Sequence, residues 1–460
     1  MIQKEILATI EEGNKNAFLG EEVSKKLAEN AICIIILDDD PTGTQTVHNV
    51  PVITQWTAEA IEKEVAQSTI FFILTNSRSL QAEEANALGT LIGKRLKQAT
   101  KKHNKKLIVV SRGDSTLRGH YPNEVDALAK GLDWEKPKHI LAPAFFEGGR
   151  YTYKDVHYAK EGSTFIPVGE TPFAKDNTFS YHTSNLKNWI AEKSRGTIAA
   201  NNVTSFSLHF LRKNSISAIL AALNSEATYF IANATSYSDL GKLALASLGY
   251  KGNIIYRTAA SFVNAISGIE IASLLPKEAL ISKQNNTGGL VVIGSYVPKT
   301  TKQLLYLKEH INAIFIEIDV EKIIKSTSKE NEIIKYAEKI DAHIANNESV
   351  VLYTARNVIT GNTKEESLAI VNEVSKSLIA IVKNLQNTPK YIVAKGGITS
   401  SDIAVKALNI VRTKVLGQII KGVPVWQLGK DAKFPGIPYI VFPGNVGSET
   451  DLFNVIKKME

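Results

Sequence analysis

Short runs of aliphatic and β-branched residues alternate with longer amphipathic stretches almost from end to end, and that rhythm narrows the folds open to the chain. It predicts α/β layers built on largely parallel sheets flanked by helices. In the first half the strand signals are Ile32–Leu37, Ile70–Leu74, Leu107–Val110, His139–Leu141 and Tyr229–Ala232, with helical patterns at Ala82–Gln98 and Ser238–Leu248. The second half repeats the alternation at Leu290–Ile293, Ala313–Ile318, Val350–Tyr353, Tyr391–Ala394 and Tyr439–Phe442. A chain of 460 residues exceeds one hydrophobic core, so two domains are expected. The polar, glycine-ended stretch Lys283–Gly289 reads as the linker. The expected division is a helical extension over 1–30, a first domain over 31–282, the linker at 283–289 and a second domain over 290–460.

Composition removes several function classes. Lys plus Arg number 54 against 46 Asp plus Glu, a formal charge of +8 that suits either anionic substrates or a solvated surface. Nucleic-acid binding would gather that charge into a stripe with aromatics between. The densest basic run, Lys101 to Lys106, contains no aromatic and reads as a solvated helix end and turn, so no nucleic-acid partner is expected. Cys33 is the one cysteine, which excludes an intramolecular disulfide and a cysteine-based zinc site. Inside the apolar run Ala31–Leu37 it reads as a buried, inert thiol. The charged start, MIQKEILATIEEG, lacks the apolar core of a signal peptide, and no apolar stretch approaches the ~20 residues of a membrane span. A soluble, cytoplasmic protein with no membrane partner is expected.

Ligands of open α/β sheets sit beyond the carboxyl ends of the strands, so the residues after each strand carry the chemistry. The first strand runs into Asp38-Asp39-Asp40-Pro41-Thr42-Gly43. Adjacent carboxylates repel unless a ligand, a cation or arginines compensate; the bland alternative is a solvated helix cap. At a strand end, one of these three carboxylates is a candidate to take the proton of an attacking hydroxyl. The third strand ends in Ser111-Arg112-Gly113-Asp114-Ser115-Thr116-Leu117-Arg118-Gly119-His120. Arginines clamp carboxylates through paired hydrogen bonds, and hydroxyl residues suit a row of sugar hydroxyls. Arg112, Asp114, Ser115, Thr116 and Arg118 are therefore candidates, with Thr42 from the acidic turn and Arg78 from Asn76-Ser77-Arg78. The competing reading of Asp114 is a structural ion pair with an arginine, and His120 reads better as a structural histidine.

Three strand–glycine–helix junctions mark the second half. They are Gly294-Ser295 before Pro298, Gly396-Gly397-Ile398-Thr399 before a helix starting near Asp402, and Gly444-Asn445-Val446-Gly447 before a helix following Asp451. Glycine permits close backbone approach, and free N–H groups at helix starts attract phosphate. The nucleotide-binding candidates are Ser295, Gly396, Gly397, Ile398, Thr399, Gly444, Asn445 and Gly447. No G-x-x-x-x-G-K-[ST] loop is present, which excludes an ordinary P-loop NTPase.

With these residues in view the chain resembles the four-carbon acid sugar kinases. The resemblance rests on Asp39-Asp40-Pro41-Thr42-Gly43, Asp114-Ser115-Thr116, the stretch Pro143 to Tyr158, Glu170 to Asp176, and the three glycine turns. It departs where relatives often carry Ala-Asp-Asp-Leu-Thr-Gly and where Asp or Glu often stands at Ile398. The resemblance implies a sugar-acid-binding first domain, a nucleotide-binding second domain, an active site in the cleft between them, and Asp39 or Asp40 of the matching pair as the catalytic base. ATP and Mg²⁺ are the implied cofactors and a small sugar acid (threonate, erythronate or 3-oxo-tetronate type) the implied substrate; homo-oligomerisation is left open. Asp38-Asp39-Asp40-Pro41-Thr42 also fits the D-x-D-x-T pattern of haloacid-dehalogenase-type phosphatases, with Asp38 as nucleophile and Asp40 as acid/base. That alternative leaves the glycine turns unused, and no strand followed by an acidic pair is found in the second half. A non-catalytic sugar-acid sensor, which would need no nucleotide, is the third reading.

Overall fold

The computed structural model describes residues 2–280, 286–319, 322–323, 326, 328–355 and 364–460, with the side chains of 364–372 outside the description. The chain divides into two units, Met1–Ala272 and Ser273–Glu460. Of the predicted linker, 283–285 lie outside the described residues. Its last two glycines are tied into the second unit: Gly288 N–H donates to Ile344 O and Gly289 N–H to Ser349 Oγ, each at 2.8 Å.

In the first unit the apolar runs become β1 (Ile32–Asp38), β2 (Pro51–Ile53), β3 (Ile70–Leu74), β4 (Lys106–Arg112) and β5 (Lys138–Ala142). A meander of β6 (Arg150–Tyr153), β7 (Val156–Glu161) and β8 (Thr164–Pro167) follows, then β9 (Val203–Phe206), β10 (Tyr229–Ala232) and β11 (Ile254–Thr258). Within this unit the main sheet is parallel throughout, in the order β2-β3-β1-β4-β11-β5-β10-β9. Helices cover both faces, so strands such as β1 are buried at every position and their sequences read as continuous apolar runs. The helix Ala82–Lys102 lays Leu88, Ile92 and Leu96 against Ile35, Phe71 and Ile73; Leu186, Trp189 and Ile190 pack with Leu141, Ile231 and Ile255 in a second cluster. From β1 the chain builds toward β3 and β2, whereas from β4 it builds the other way. The carboxyl ends of β1 and β4 therefore flank a topological switch point, where open α/β sheets leave a crevice. The N-terminal helices, Ile2–Asn14 and Gly20–Glu29, pack on Tyr237–Ser247, and the second also on Ala260–Ser267.

The second unit holds β12 (Leu290–Ile293), β13 (Ile314–Ile318), β14 (Val350–Thr354), β15 (Ile392–Lys395), β16 (Arg412–Ile420), β17 (Val423–Leu428) and β18 (Pro438–Phe442). Their order is β13-β14-β12-β15-β18-β17-β16, parallel as far as β18, with β17 and β16 antiparallel. A core of Val291, Ile293, Val393, Ile440, Phe442 and Leu452 lies against this sheet. The switch point falls between β12 and β15, at two of the predicted glycine turns. Among the described residues no helix is long and apolar enough to cross a membrane.

Candidate active site

The first unit gathers its candidates at the switch point. Asp38 ends β1 in register with Arg112 at the end of β4, and Arg112 Nη1 lies 3.3 Å from Asp38 Oδ1. Both are buried, Asp38 to 1% exposure. Burial, opposed by Arg112 and reinforced by Asp39 and Asp40, pushes the Asp38 carboxyl up to about 7. Gly43 turns its backbone onto this carboxyl so closely that a Cβ there would overlap it. A phosphatase nucleophile needs an open in-line approach, which the burial of Asp38 beneath Gly43 does not favour.

Asp39 and Asp40 share one arginine. Arg78 Nη2 and Nε donate to Asp39 Oδ1 at 2.5 Å and Oδ2 at 3.2 Å, and Nη1 reaches Asp40 Oδ2 at 3.4 Å. Asp40 Oδ1 accepts from the Thr42 N–H at 2.8 Å and its hydroxyl at 2.6 Å, capping the short 3₁₀ turn Pro41–Thr44. Burial works to raise Asp40, but Arg78, both Thr42 donors and Arg112 outweigh it and bring the group below its ordinary value. Asp39 is 2% exposed and its two oxygens are committed to Arg78, whereas the Asp40 side chain is 19% exposed. The bland helix-cap reading thus describes one oxygen of Asp40, and Oδ2 is the less committed of its two.

Around Asp114 the ion pair weighed against a substrate clamp is present. Arg118 Nε donates to Asp114 Oδ2 at 2.7 Å, the Thr116 hydroxyl donates to the same oxygen, and Arg118 Nη1 lies 3.4 Å from Asp176. Burial opposes ionisation of Asp114, yet Arg118 and Arg78 with these donors hold it well below the usual carboxylate range. Ser115 is met through its carbonyl, which accepts from His157 Nε2 at 2.9 Å. His120 Nε2 donates to Leu80 O at 3.1 Å and its ring lies edge-on to Phe179, a structural placement.

Two arginines here went unmarked in the sequence. Arg257, near the end of β11, donates to Ser111 Oγ at 2.9 Å, reaches Glu124 at 3.3 Å and lies 3.7 Å from Asp39; Gly113 supplies its room, since a Cβ there would overlap the guanidinium. The run Ile254–Thr258 after Gly252-Asn253 was its available signal. Arg150, the first residue of β6, has no carboxylate within ion-pair distance among the described residues, and its buried Nε has no partner. Its guanidinium stands 5.9 Å from the Phe173 ring, over which Arg118 lies at 5.0 Å.

In the second unit the glycine turns meet. A Cβ on Gly396 would lie 3.1 Å from both Ser295 Cβ and Thr399 Oγ1, and one on Gly444 would lie 3.0 Å from Ser295 Oγ. The Thr300 hydroxyl joins Ser295 Oγ (3.2 Å) to Gly444 O (3.1 Å). Gly396 has φ +121°, which lets the chain turn straight into the helix Gly397–Asp402. This corrects the expected start near Asp402. Ser400 Oγ, donating within reach of Ala394 O (2.8 Å) and Gly396 O (2.7 Å), fixes the tight start. Gly397, Ile398 and Thr399 therefore form the first turn, where N–H groups lack intrahelical acceptors, and Ile398 is 64% exposed. Asn445 is exposed beside Gly444. Gly447 belongs to the cap of the last helix, where Ser448 N–H donates to Asp451 Oδ2 at 2.6 Å. Lys395, which closes β15 beneath these turns and was passed over in the sequence, is fully buried.

Comparison with known proteins divides the chain in the same way. Residues 34–266 match the family model of a sugar-binding N-terminal domain, and residues 290–452 that of a nucleotide-binding C-terminal domain. The chain is 23% identical over 331 residues to the D-erythronate kinase of Heliobacterium modesticaldum (strain ATCC 51547 / Ice1), covering 68% of each. The crystal structure of Haemophilus influenzae protein HI1011 superposes with a TM-score of 0.63 at 18% identity, over 92% of this chain and 99% of that one. A Salmonella typhimurium LT2 structure does so with a TM-score of 0.68 at 16% identity, over 93% and 99%. At these identities the two structures speak for the fold.

Proposed function

Because the chain belongs to the four-carbon acid sugar kinase family, we propose that it transfers the γ-phosphoryl group of ATP to a hydroxyl of a four-carbon sugar acid of the erythronate, threonate or 3-oxo-tetronate type. The observation that carries this reading is the presence on one chain of sugar-binding and nucleotide-binding domains, with a relative named as a D-erythronate kinase.

In the proposed reaction Asp40 Oδ2 takes the proton of the attacking hydroxyl as the new O–P bond forms and the bond to ADP breaks. Its greater exposure than Asp39 supports that assignment, and Arg78 holds both carboxylates in place. Asp114, Ser115 and Thr116 are proposed to orient the remaining hydroxyls. Arg112, Arg78 and Arg118 each already face a protein carboxylate, so the acid's own carboxylate is assigned chiefly to Arg150, beside Arg118 at Phe173. The turns at Ser295, Gly396–Thr399 and Gly444-Asn445 are proposed to receive ATP, with Ile398 offering an apolar surface to the base. Among the described residues no three His, Cys, Asp or Glu side chains converge to cage a metal. The expected Mg²⁺ is therefore proposed to arrive on the nucleotide phosphates, where it neutralises charge.

ADP release, coupled to a spectrophotometric readout and screened across four-carbon sugar acids and their neutral analogues, tests the proposal. Turnover is expected with at least one acid and little with neutral sugars. No ADP release with any sugar acid, or equal rates on the neutral analogues, refutes it.

A further inference from the structure

Among the described residues Lys395 is a buried amine without a counter-ion. It is 0% exposed at the end of the parallel strand β15. Its Nζ donates to Pro443 O at 2.6 Å and Gly444 O at 3.2 Å, and stands 4.0 Å from the centroid of the Phe442 ring. The strands on either side present Ile293 and Phe442 in register with it, neither of them titratable. The charged group that acts on it is Lys299, from the start of the helix Pro298–His310, which has the same sign. Among the described residues no carboxylate lies within ion-pair distance.

Two carbonyl dipoles and a ring face soften such a charge without neutralising it, so protonation there is costly. Burial, with a smaller push from Lys299, brings the ammonium down to about 7. The surroundings are those of the candidate nucleotide site. Gly396 directly follows Lys395, Gly444 accepts its hydrogen bond, and Ser295 touches both turns. A phosphate held there would supply the negative charge that is missing among the described residues.

We propose that Lys395 is a proton-linked counter-charge for the nucleotide: phosphate binding at the glycine turns draws a proton onto this buried amine, whose field and hold on the Pro443-Gly444 carbonyls then fix the bound state. The inference rests on the nucleotide-binding reading of those turns. Lys395 acts through the backbone and across a short, low-dielectric distance, and is a positioning residue.

Linkage gives the size of the effect. If binding restores the amine to its ordinary pKa, the complex takes up about 0.95 proton per site at pH 8.5 and about 0.1 at pH 6. Nucleotide affinity correspondingly falls about 50-fold from pH 7 to pH 9. A nucleotide's own phosphate ionises near pH 6 and is already fully charged at pH 8.5.

The test is calorimetric titration of the full-length protein with ADP, pre-saturated with Mg²⁺, in pairs of buffers of different ionisation enthalpy. Wild-type protein is expected to take up close to one proton at pH 8.5. Lys395→Arg, which keeps its charge at every pH used, should bind without uptake and without the loss of affinity toward pH 9. Lys395→Met should bind at least tenfold more weakly at pH 7, also without uptake. ADP binding by wild type with no uptake at pH 8.5, or uptake undiminished in both variants, overturns the proposal. Absence of any ADP binding by wild type instead overturns the nucleotide reading beneath it. The wild-type measurement stands whether or not a variant folds.

Discussion

Asp38 sets burial against an arginine, and the winner can be read from the sign of a pH dependence. Burial raises its carboxyl and Arg112 lowers it, with the neighbouring charges of Asp39 and Asp40 helping burial, and the balance lies at about 7. In the unfolded chain an aspartate titrates near 3.9. Between those values the folded protein holds a proton that the unfolded chain has released, so this group's contribution to stability falls as pH rises from about 4 to about 7. A gap of roughly three pH units corresponds to on the order of 4 kcal/mol. Asparagine has the shape of the protonated acid and cannot ionise. Asp38→Asn should therefore be close to neutral at pH 4.5 and gain on wild type as pH rises, by about 2–4 kcal/mol at pH 8. Urea denaturation across that range measures the difference. Tryptophan fluorescence is a suitable probe because Trp56 Nε1 donates to Leu74 O at 2.8 Å, at the end of the strand beside β1. A difference that stays flat with pH, or a variant that loses ground as pH rises, refutes the reasoning, because Arg112 would then outweigh burial. Asp38→Ala does not substitute for this test. It leaves Arg112, 4% exposed, facing a void, and stranding a buried charge costs about 3–5 kcal/mol.

The remaining predictions concern the proposed reaction. Asp40→Asn should lower kcat by about 10²–10⁴-fold while ADP affinity, measured calorimetrically, stays within a factor of two or so of wild type; a matching loss of ADP affinity would remove Asp40 from the role of base. Arg150→Ala should raise KM for the sugar acid roughly 10- to 100-fold, the worth of one charge-assisted pair, and an unchanged KM would free the carboxylate from that site. Gly396→Ala places a Cβ 3.1 Å from Ser295 and Thr399 at φ +121°. It should weaken ADP binding by about 5- to 100-fold, matching roughly 1–3 kcal/mol of backbone strain, and calorimetry showing wild-type affinity would argue against a nucleotide at that turn.

Strands buried on both faces were the most legible in the sequence, although the half-buried Ile314–Ile318 was read as well. Ile70–Leu74, Tyr229–Ala232 and Leu290–Ile293 fall as read, because a fully buried strand carries its signal in every residue. The β6–β7 hairpin was hidden by its turn. Lys154 and Asp155 both take positive φ, 50° and 65°, where the usual signal is Asn-Gly or Asp-Gly. Asp155 is held there by tertiary contacts that the local sequence does not announce: its N–H donates to Asn233 Oδ1 at 2.7 Å and its Oδ1 accepts from Asn233 Nδ2 at 2.7 Å. Arg150 was missed with that hairpin and Arg257 with β11. Asp38 to Asp40, Arg78, Arg112, Asp114 and Arg118 were legible because consecutive charges at strand ends demand partners. Which arginine answers which carboxylate was not, since pairs such as Arg78–Asp39 join residues far apart in the chain. Lys395 was overlooked because a single lysine between an apolar run and two glycines looks like the solvated end of a strand.

The two units handle charge in opposite ways, and in the proposed reaction that difference has a purpose. In the first unit every member of the acidic turn has an arginine: Asp38 has Arg112, and Asp39 and Asp40 have Arg78. A sugar acid arriving there meets an acidic turn already close to balance, and beyond the pairing of its carboxylate with Arg150 it gains by matching fixed donor and acceptor positions. Such an arrangement favours selectivity among isomers over raw affinity, because a misplaced hydroxyl leaves a buried polar atom unpaired. In the second unit Lys395 is surrounded by carbonyl dipoles, a ring and a like charge, and nothing in the described chain balances it. There the ligand's charge matters more than its outline, which suits a nucleotide recognised mainly by its phosphates. A kinase of this kind must distinguish one small acid from many similar ones while taking a phosphate donor that is common to all. Spending structural precision on the first ligand and uncompensated charge on the second meets both demands with ordinary side chains.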